Sequence, residues 1–506
     1  MSISGNSGEH PAMRTDRIVV IGAGVGGLVS AMLLAANGRP VVVLERQPTT
    51  GGKLRRMSVA GREIDAGPTV LTLRPVFEEI FAACRLNLSD HVTLTPASLL
   101  ARHAWSAEER LDLFADRRRS ADAVGSFAGA AAARGYLDFC AHARSVYETM
   151  NPLFMRTERP TPVGMVKAAG FSGLKGLINS APFTTLWDSL ATYFQDPRLR
   201  QLFARYATYC GSSPFHAPAT LALVAHVEQE GVWLPVGGMA AFADALTKAA
   251  VAAGAEIRTG QDVRRIAVAG GRVSGVALAN GEFLNASTVI SNGDVGALAA
   301  GKFGTEALHS VASDAGLPRS LSALTWGKCA RVDGFPLAHH TVFFSRNYAQ
   351  EFEDIFTHCR PPREPTVYLC ASDRSDDGAR AGQGPERLFL IVNAPADAGR
   401  SVDNPRELLQ CQGAMMRTLE RCGLKLSIEG QMHTGPAQFA DLFPATEGAL
   451  YGMASHGWTA SFRRFGSRSR LPGLYLAGGS VHPGPGLPMA ALSGRAAALA
   501  VLQDQP

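Results

Sequence analysis

The sequence predicts an α/β protein in which one sheet is assembled from separated pieces of chain. Three observations predict it. A strand, a glycine turn and a helix run from Arg17 to Arg46 (RIVVIGAGVGGLVSAMLLAANGRPVVVLER). A second strand, glycine turn and helix run from Leu474 to Arg495 (LYLAGGSVHPGPGLPMAALSGR). Between them the chain passes through a long helical region and then returns to short strands and turns.

The first stretch opens with the apolar strand Ile18 to Ile21. Gly22, Gly24 and Gly27 follow in G-x-G-x-x-G spacing, then a small-residue helix, roughly Gly26 to Ala36. Asn37-Gly38 breaks it, and a strand from Val41 to Leu44 ends at Glu45. Gly22 permits the tight turn, Gly24 a close backbone approach to a pyrophosphate, and Gly27 close packing of helix on sheet. The helix N-terminus offers unpaired N–H groups and partial positive charge to phosphates. Glu45 stands about 20 residues on, where an acid accepts hydrogen bonds from ribose hydroxyls. An isolated glycine fingerprint is weak evidence, but strand, helix and acid together supply its context. The reading is a Rossmann-like dinucleotide domain, and the acid at 45 favours FAD or NAD over NADP.

With 506 residues the chain is long enough for two domains or one large composite. At 46% hydrophobic and 18% charged it can bury a substantial core. The net charge of +5 is compatible with an anionic membrane surface, and no dense Lys/Arg run points to nucleic acid. The eight cysteines form no C-x-x-C pair, so no metal site is expected. Scattered thiols fit a cytosolic setting. Residues 1 to 16 hold no apolar signal core. No uncharged run reaches the ~18 residues of a spanning helix, so any membrane contact is peripheral.

Past the first turn, Gly51-Gly52 with Lys53 and Arg55 forms a second glycine turn beside cations, suited to phosphate or ribose. In Ile64 to Leu71 (IDAGPTVL), Asp65 reads as a local cap, with Gly67 and Pro68 lining a flavin. Residues 76 to 230 read as mostly helical and rich in aromatics and methionines. Pro160 to Phe183 is apolar, broken by glycine and proline, with charge only at Lys167 and Lys175. It reads either as an interfacial patch or as a packed helical layer.

Gly237-Gly238 introduce a helix, Met239 to Ala250, followed by strand Glu256 to Arg258. Val263 to Val268, Val273 to Leu278 and Thr288 to Ile290 read as strands added to the nucleotide domain. Thr341 to Ser345, Thr366 to Cys370 and Leu388 to Val392 read as strands of a substrate-side sheet, and Pro405 to Arg421 as a helix. In the C-terminal motif, Gly478-Gly479 and the turn His482 to Gly486 feed a helix starting near Leu487, a further anion-binding arrangement. His482 is a candidate acid or base, though a turn histidine more commonly bonds backbone.

The N-terminal turn, DAGPTVL, HVEQEGVWLPVGGM and LYLAGGSVHPGPGLPMAALSGR together resemble the bacterial phytoene-desaturase family of carotenoid dehydrogenases. The Phe215 to Met239 stretch resembles its hydroxyneurosporene (methoxyneurosporene) desaturase branch. The resemblance spans nearly the whole chain. It implies a glutathione-reductase/amine-oxidase-like FAD domain in three pieces, 17–85, 226–300 and 471–506, after a flexible 1–16. It implies a helical, membrane-facing substrate part at 86–225 and a substrate sheet with helices at 301–470. The expected FAD contacts are Gly22, Gly24, Gly27, Glu45, Arg46, Gly52, Lys53, Arg55, Gly67, Pro68, Val263, Gly478, Gly479, Pro488 and Met489. Lys53 stands where the family usually has Arg, and Ala141 where some members place an acid.

The implied reaction removes a hydride from an allylic carbon to flavin N5 and a proton from its neighbour. A C40 polyene gains a C=C, at the 3,4 position of a 1-hydroxy- or 1-methoxy-carotenoid. Conjugation delocalises the developing cation, so a strong base is not required. Candidate bases are His226, Glu228, Glu230 and His482, and the catalytic candidates are His482, Glu228 and Arg144. The implied location is cytoplasmic, peripheral to the inner or photosynthetic membrane, with O2 or a quinone as unnamed electron acceptor. Alternative readings are phytoene desaturase, carotenoid isomerase, another amine-oxidase-like flavoenzyme, and a non-enzymatic escort protein like the Rab GDP-dissociation inhibitors.

Overall fold

The computed structural model describes residues 16–312, 317–396 and 404–505. The expected flexible N-terminus lies outside these residues, except for Asp16. Five parallel strands form the first sheet, in the order Leu474–Leu476, Thr288–Ser291, Ile18–Ile21, Val41–Leu44 and Glu256–Arg258. Its central strands read as unbroken apolar runs because both faces are covered. Ile18, Val20, Val41 and Val43 face the helices Val25–Ala36, Met239–Ala252 and Leu487–Asp504. Val19, Ile21, Val42 and Leu44 face the opposite side, against Ile266, Val276 and Leu284. A period of two thus distributes one apolar run between two cores.

That opposite layer is a separate antiparallel sheet of Val263–Ala269, Arg272–Leu278 and Phe283–Asn285. The sequence assigns these strands to the nucleotide domain. They stack beneath its parallel sheet, and only Thr288–Ser291 enters that sheet, beside Ile18–Ile21. The alternating pattern of Arg272–Leu278 suits a sheet with one buried face.

The second large sheet has seven strands, in the order Lys425–Thr434, Ser322–Asp333, Glu386–Ala394, Val367–Ala371, His340–Phe343, Leu99–Ala104 and Arg110–Phe114. Its last two strands come from the mostly helical 86–225 region and are additions the sequence did not show. Leu99–Ala104 pairs parallel with His340–Phe343, and Arg110–Phe114 closes the edge as its antiparallel partner. Arg102 and Asp112 meet across this pair at 2.7 Å. The region also holds the short strand Leu94–Pro96 and is otherwise mostly helical, including Arg117–Ala128, Ala130–Met150, Pro162–Asn179 and the start of Leu223–Gln229. Tyr136, Phe139, Phe194, Phe203 and Tyr206 knit these helices into an aromatic core.

Pro162–Asn179 is broken at Gly170, whose φ of 59° and ψ of −169° are non-helical. Val163, Val166, Leu174, Ile178 and Phe183 are exposed, and Phe183 meets the exposed Trp458 edge-on at 5.4 Å. Among the described residues, no helix is long and apolar enough to cross a membrane.

Candidate active site

Two helix N-termini point into one cavity of about 900 Å³. The first strand ends at Gly22, whose φ of +95° turns the chain into helix Val25–Ala36. Gly27 sits behind the turn, where an added Cβ would lie 2.2 Å from the Gly22 carbonyl oxygen. The second helix, Leu487–Asp504, starts after Gly486 with Pro488 in its first turn, where a missing N–H costs nothing. The two helices pack closely because Gly494 faces Gly26. Their exposed N–H groups make one wall of the cavity an anion-binding surface.

Asn292 locks the turns together. Its Nδ2 donates to the Gly22 carbonyl at 3.1 Å, and its buried Oδ1 has no hydrogen-bond partner among the described residues. Glu45 is buried and lines the cavity. Its Oε2 accepts from the Ala23 N–H at 2.7 Å and its Oε1 from the Gln47 N–H at 2.8 Å. The carboxylate thus braces the glycine turn and keeps further lone pairs for ribose hydroxyls.

The cavity brings together Gly22, Gly24, Glu45, Arg46, Gly52, Lys53, Arg55, Gly67, Pro68, Val263, Gly478, Gly479, Pro488 and Met489. The three cations there already have protein partners. Arg46 donates to the carbonyls of Asp441 and Leu442, at the C-terminal end of helix Pro436–Leu442. Lys53 donates to the Leu450 carbonyl and stands 5.4 Å from the Phe443 ring centre. Arg55 donates to Thr434 Oγ1 at 3.0 Å. Burial pulls both Lys53 and Arg55 below their usual ranges. They tie the first glycine domain to the 434–450 segment, a role the sequence does not announce. Asp65 likewise caps no local turn: its oxygens accept from the N–H groups of Met239 and Ala240, at 2.6 and 3.2 Å, opening helix Met239–Ala252.

The three catalytic candidates separate. Arg144 lies on the outer face of helix Ala130–Met150, paired with Glu148 at 2.8 Å, away from the cavity lining. His482 is also absent from the lining. Its Nε2 meets the Phe154 carbonyl oxygen at 2.9 Å and its ring packs edge-on against Phe154, the backbone-bonding arrangement common for a turn histidine. Burial lowers His482 to about 4, which keeps it neutral. Of the other base candidates, His226 faces Glu230 at 3.5 Å and neither lines the cavity.

Glu228 does line it, within a network that composition alone does not reveal. Its Oε2 accepts from the Tyr206 hydroxyl at 2.7 Å and its Oε1 from the Tyr209 hydroxyl at 2.6 Å. Arg205 donates to the Tyr209 hydroxyl at 2.9 Å. Arg205 and Tyr209 share the lining with Glu228. Burial opposes the Arg205 charge, but Tyr209 and Glu228 more than offset it, so its pKa rises. Thr69, one residue beyond Pro68, hydrogen-bonds Tyr368 at 2.6 Å, and Tyr368 meets His340 Nδ1 at 2.7 Å. Leu73, Phe154, Met155, Leu221, Leu223 and Val227 make the rest of this wall apolar. His339, His340 and Cys370 converge within 4.8 Å at the adjoining sheet, with His339 Nδ1 against the Arg374 carbonyl and Nε2 3.6 Å from Cys370 Sγ.

A parallel sheet delivering glycine turns and two helix N-termini to one deep cavity defines a dinucleotide-binding flavoprotein class. FAD fits it: the glycine turns bring backbone to the cavity, Asn292 Oδ1 is an unmet acceptor, and the Glu45 carboxylate lines the cavity beside the first turn. Residues 25–332 match the family described as flavin containing amine oxidoreductase. A hydroxyneurosporene desaturase of Rubrivivax gelatinosus is 52% identical over 489 residues, covering 96% of this chain and 93% of that protein. One from Cereibacter sphaeroides is 43% identical, covering 96% and 98%. An oxidoreductase from Methanosarcina mazei has a similar fold, with a TM-score of 0.61 at 17% identity, covering 96% of this chain and 100% of that one. The chain therefore belongs to the flavin-containing amine oxidoreductase family. It is an FAD-dependent oxidoreductase.

Proposed function

We propose that this enzyme desaturates carotenoids, introducing the 3,4 double bond of 1-hydroxy- or 1-methoxy-carotenoids taken from a membrane surface. The observation that carries the reading is the join of two chemically different walls in one cavity. A glycine and helix-terminus wall suits FAD, and an apolar wall suits a hydrocarbon chain. Relatives named hydroxyneurosporene desaturase, 52%, 43% and 39% identical over 96% of this chain, support the substrate class.

FAD, when bound, supplies the two-electron hydride acceptor. The substrate loses a hydride from one allylic carbon and a proton from the next, and the electron pair left behind becomes the new C=C. Leu73, Met155, Leu223 and Val227 would hold the polyene and exclude water. Glu45 and Asn292 would hold the cofactor's turn rigid. Because the polyene shares the developing positive charge, positioning accounts for more of the rate than a dedicated base.

Membrane docking through 162–183 is supported by its side chains. Val163 is 79%, Ile178 67% and Phe183 78% exposed, and Lys167 and Lys175 are exposed beside them. An exposed apolar patch flanked by lysines suits the headgroup region of a bilayer.

The test is incubation of the purified holoenzyme with liposomes carrying phytoene, neurosporene or 1-hydroxyneurosporene. A red shift with loss of two hydrogens from the hydroxylated substrate is expected. Conversion of phytoene instead would make the enzyme an early-pathway desaturase, and an isomer shift without mass change would make it an isomerase. Co-sedimentation with the liposomes should fall in an Ile178→Ser/Phe183→Ser variant; unchanged co-sedimentation would remove this segment as the docking surface.

A further inference from the structure

We propose that Arg205, Tyr209, Glu228 and Tyr348 form a subsite that binds the terminal oxygen of the substrate, and that it is built for a hydroxyl rather than an ether. The inference rests on the substrate reading above and deepens it.

A hydrocarbon offers nothing to a charged group, yet this apolar wall carries both Arg205 and Glu228. Burying charge beside a hydrocarbon is costly unless it is paired and hydrogen-bonded. The protein meets that cost with a relay: Arg205 donates to Tyr209, and Tyr209 and Tyr206 donate to Glu228. The relay leaves capacity on its cavity side. Tyr209 is the one hydrogen-bond partner of the Arg205 guanidinium among the described residues, and a guanidinium has five N–H donors. Both Glu228 oxygens keep a free lone pair.

Tyr348 supplies an independent observation. Its hydroxyl is buried, its side chain lines the same cavity, and no described residue hydrogen-bonds it. A buried hydroxyl without a partner is costly, a penalty that a ligand oxygen would remove. Its ring is held against Phe352 at 5.0 Å and Phe215 at 6.3 Å, which fixes where the hydroxyl points. Arg205, Tyr348 and Tyr368 all line this cavity. Tyr368 ties this lining through Thr69 to the Gly67-Pro68 turn.

The chemistry of the subsite is selective. A tertiary hydroxyl both donates and accepts: Tyr348 or Arg205 would donate to its oxygen, and Glu228 would accept its proton in a hydrogen bond. A methoxy oxygen only accepts, so it leaves Glu228 unused. An unsubstituted polyene end leaves every group unmet. Because the oxygen-bearing carbon is two atoms from the bond to be desaturated, holding the oxygen also registers the reacting carbons.

The test measures kcat/KM of the holoenzyme for 1-hydroxyneurosporene, its methoxy ether and neurosporene, in wild type, Tyr348→Phe and Glu228→Gln. Tyr348→Phe should lower kcat/KM for both oxygenated substrates about tenfold relative to neurosporene. Glu228→Gln should lower the hydroxyl-to-methoxyl ratio about tenfold or more. Equal losses on all three substrates, or no change in either ratio, would overturn the subsite. Should Glu228→Gln fail to fold, Tyr348→Phe decides alone, since it deletes one unpaired hydroxyl and keeps the ring. Wild-type turnover is read first. No conversion of the hydroxylated substrate sinks the substrate reading itself, whereas normal conversion with unchanged selectivity sinks only the subsite.

Discussion

The two walls of the cavity are built from different material. The cofactor wall is mainly backbone: glycine turns, two helix N-termini, and side chains such as Glu45 and Asn292 that serve the main chain. The substrate wall is side chain: aromatics, aliphatics and the Arg205–Tyr209–Glu228 relay, contributed by elements far apart in sequence. A backbone wall tolerates little substitution where an added Cβ meets main chain, as at Gly27, Gly67 and Gly494, or where φ is positive, as at Gly22. A side-chain wall can be retuned one residue at a time.

The sharpest test of that contrast is Gly27→Val. The new Cβ would lie 2.2 Å from the Gly22 carbonyl, and the turn cannot yield without losing its strand. The expected outcome is no flavin absorbance in the purified protein, or no soluble protein. Retained flavin would show that the backbone wall is softer than its geometry.

Acid should act next most strongly, through buried or half-buried histidines behind the walls that the fold holds neutral. Burial lowers His482 to about 4, and His456, with help from His216, also to about 4. Below pH 6.5 the unfolded chain takes up protons that these folded sites refuse. The stability they contribute is complete above 6.5 and is lost as pH falls from 6.5 through 4, up to about 3 kcal/mol for His482. Denaturant unfolding at pH 7, 5.5 and 4.5 measures this, and His482→Asn should flatten the dependence while lowering stability at pH 7.

Asp65→Ala should cost about 1 kcal/mol, because helix Met239–Ala252 loses its cap. Thermal unfolding should show the loss with flavin still bound, since the cap supports the cofactor wall without forming it. The smallest effect belongs to Arg144→Ala. Its pair with Glu148 is exposed, so neither stability nor turnover should change measurably. A loss of turnover would restore Arg144 to the reacting site.

Much of the cofactor wall was legible in the sequence because it is encoded locally. Gly22, Gly24, Gly27 and Glu45 fall within one strand–turn–helix–strand unit, and Gly478, Gly479, Pro488 and Met489 within another. Their jobs follow from spacing. Residue type suggested Arg144 and His482, but the fold places both outside the cavity lining, each with a protein partner of its own. Asp65 misled in a milder way: a carboxylate before a turn looks like a local cap, and its true partner lies 174 residues on. Leu99–Ala104 was hidden in a helix-rich stretch because its pairing partner, His340–Phe343, is supplied by another part of the chain.

By itself the sequence determined the class of fold, the glycine turns and the nucleotide acid, since each depends on contacts within some thirty residues of chain. Only the tertiary structure decided that Lys53 and Arg55 clamp the 434–450 segment. It alone placed Arg205 and Tyr209 with Tyr348 in one cavity lining. Those outcomes depend on which distant side chains meet where water is excluded, and no local pattern records such meetings.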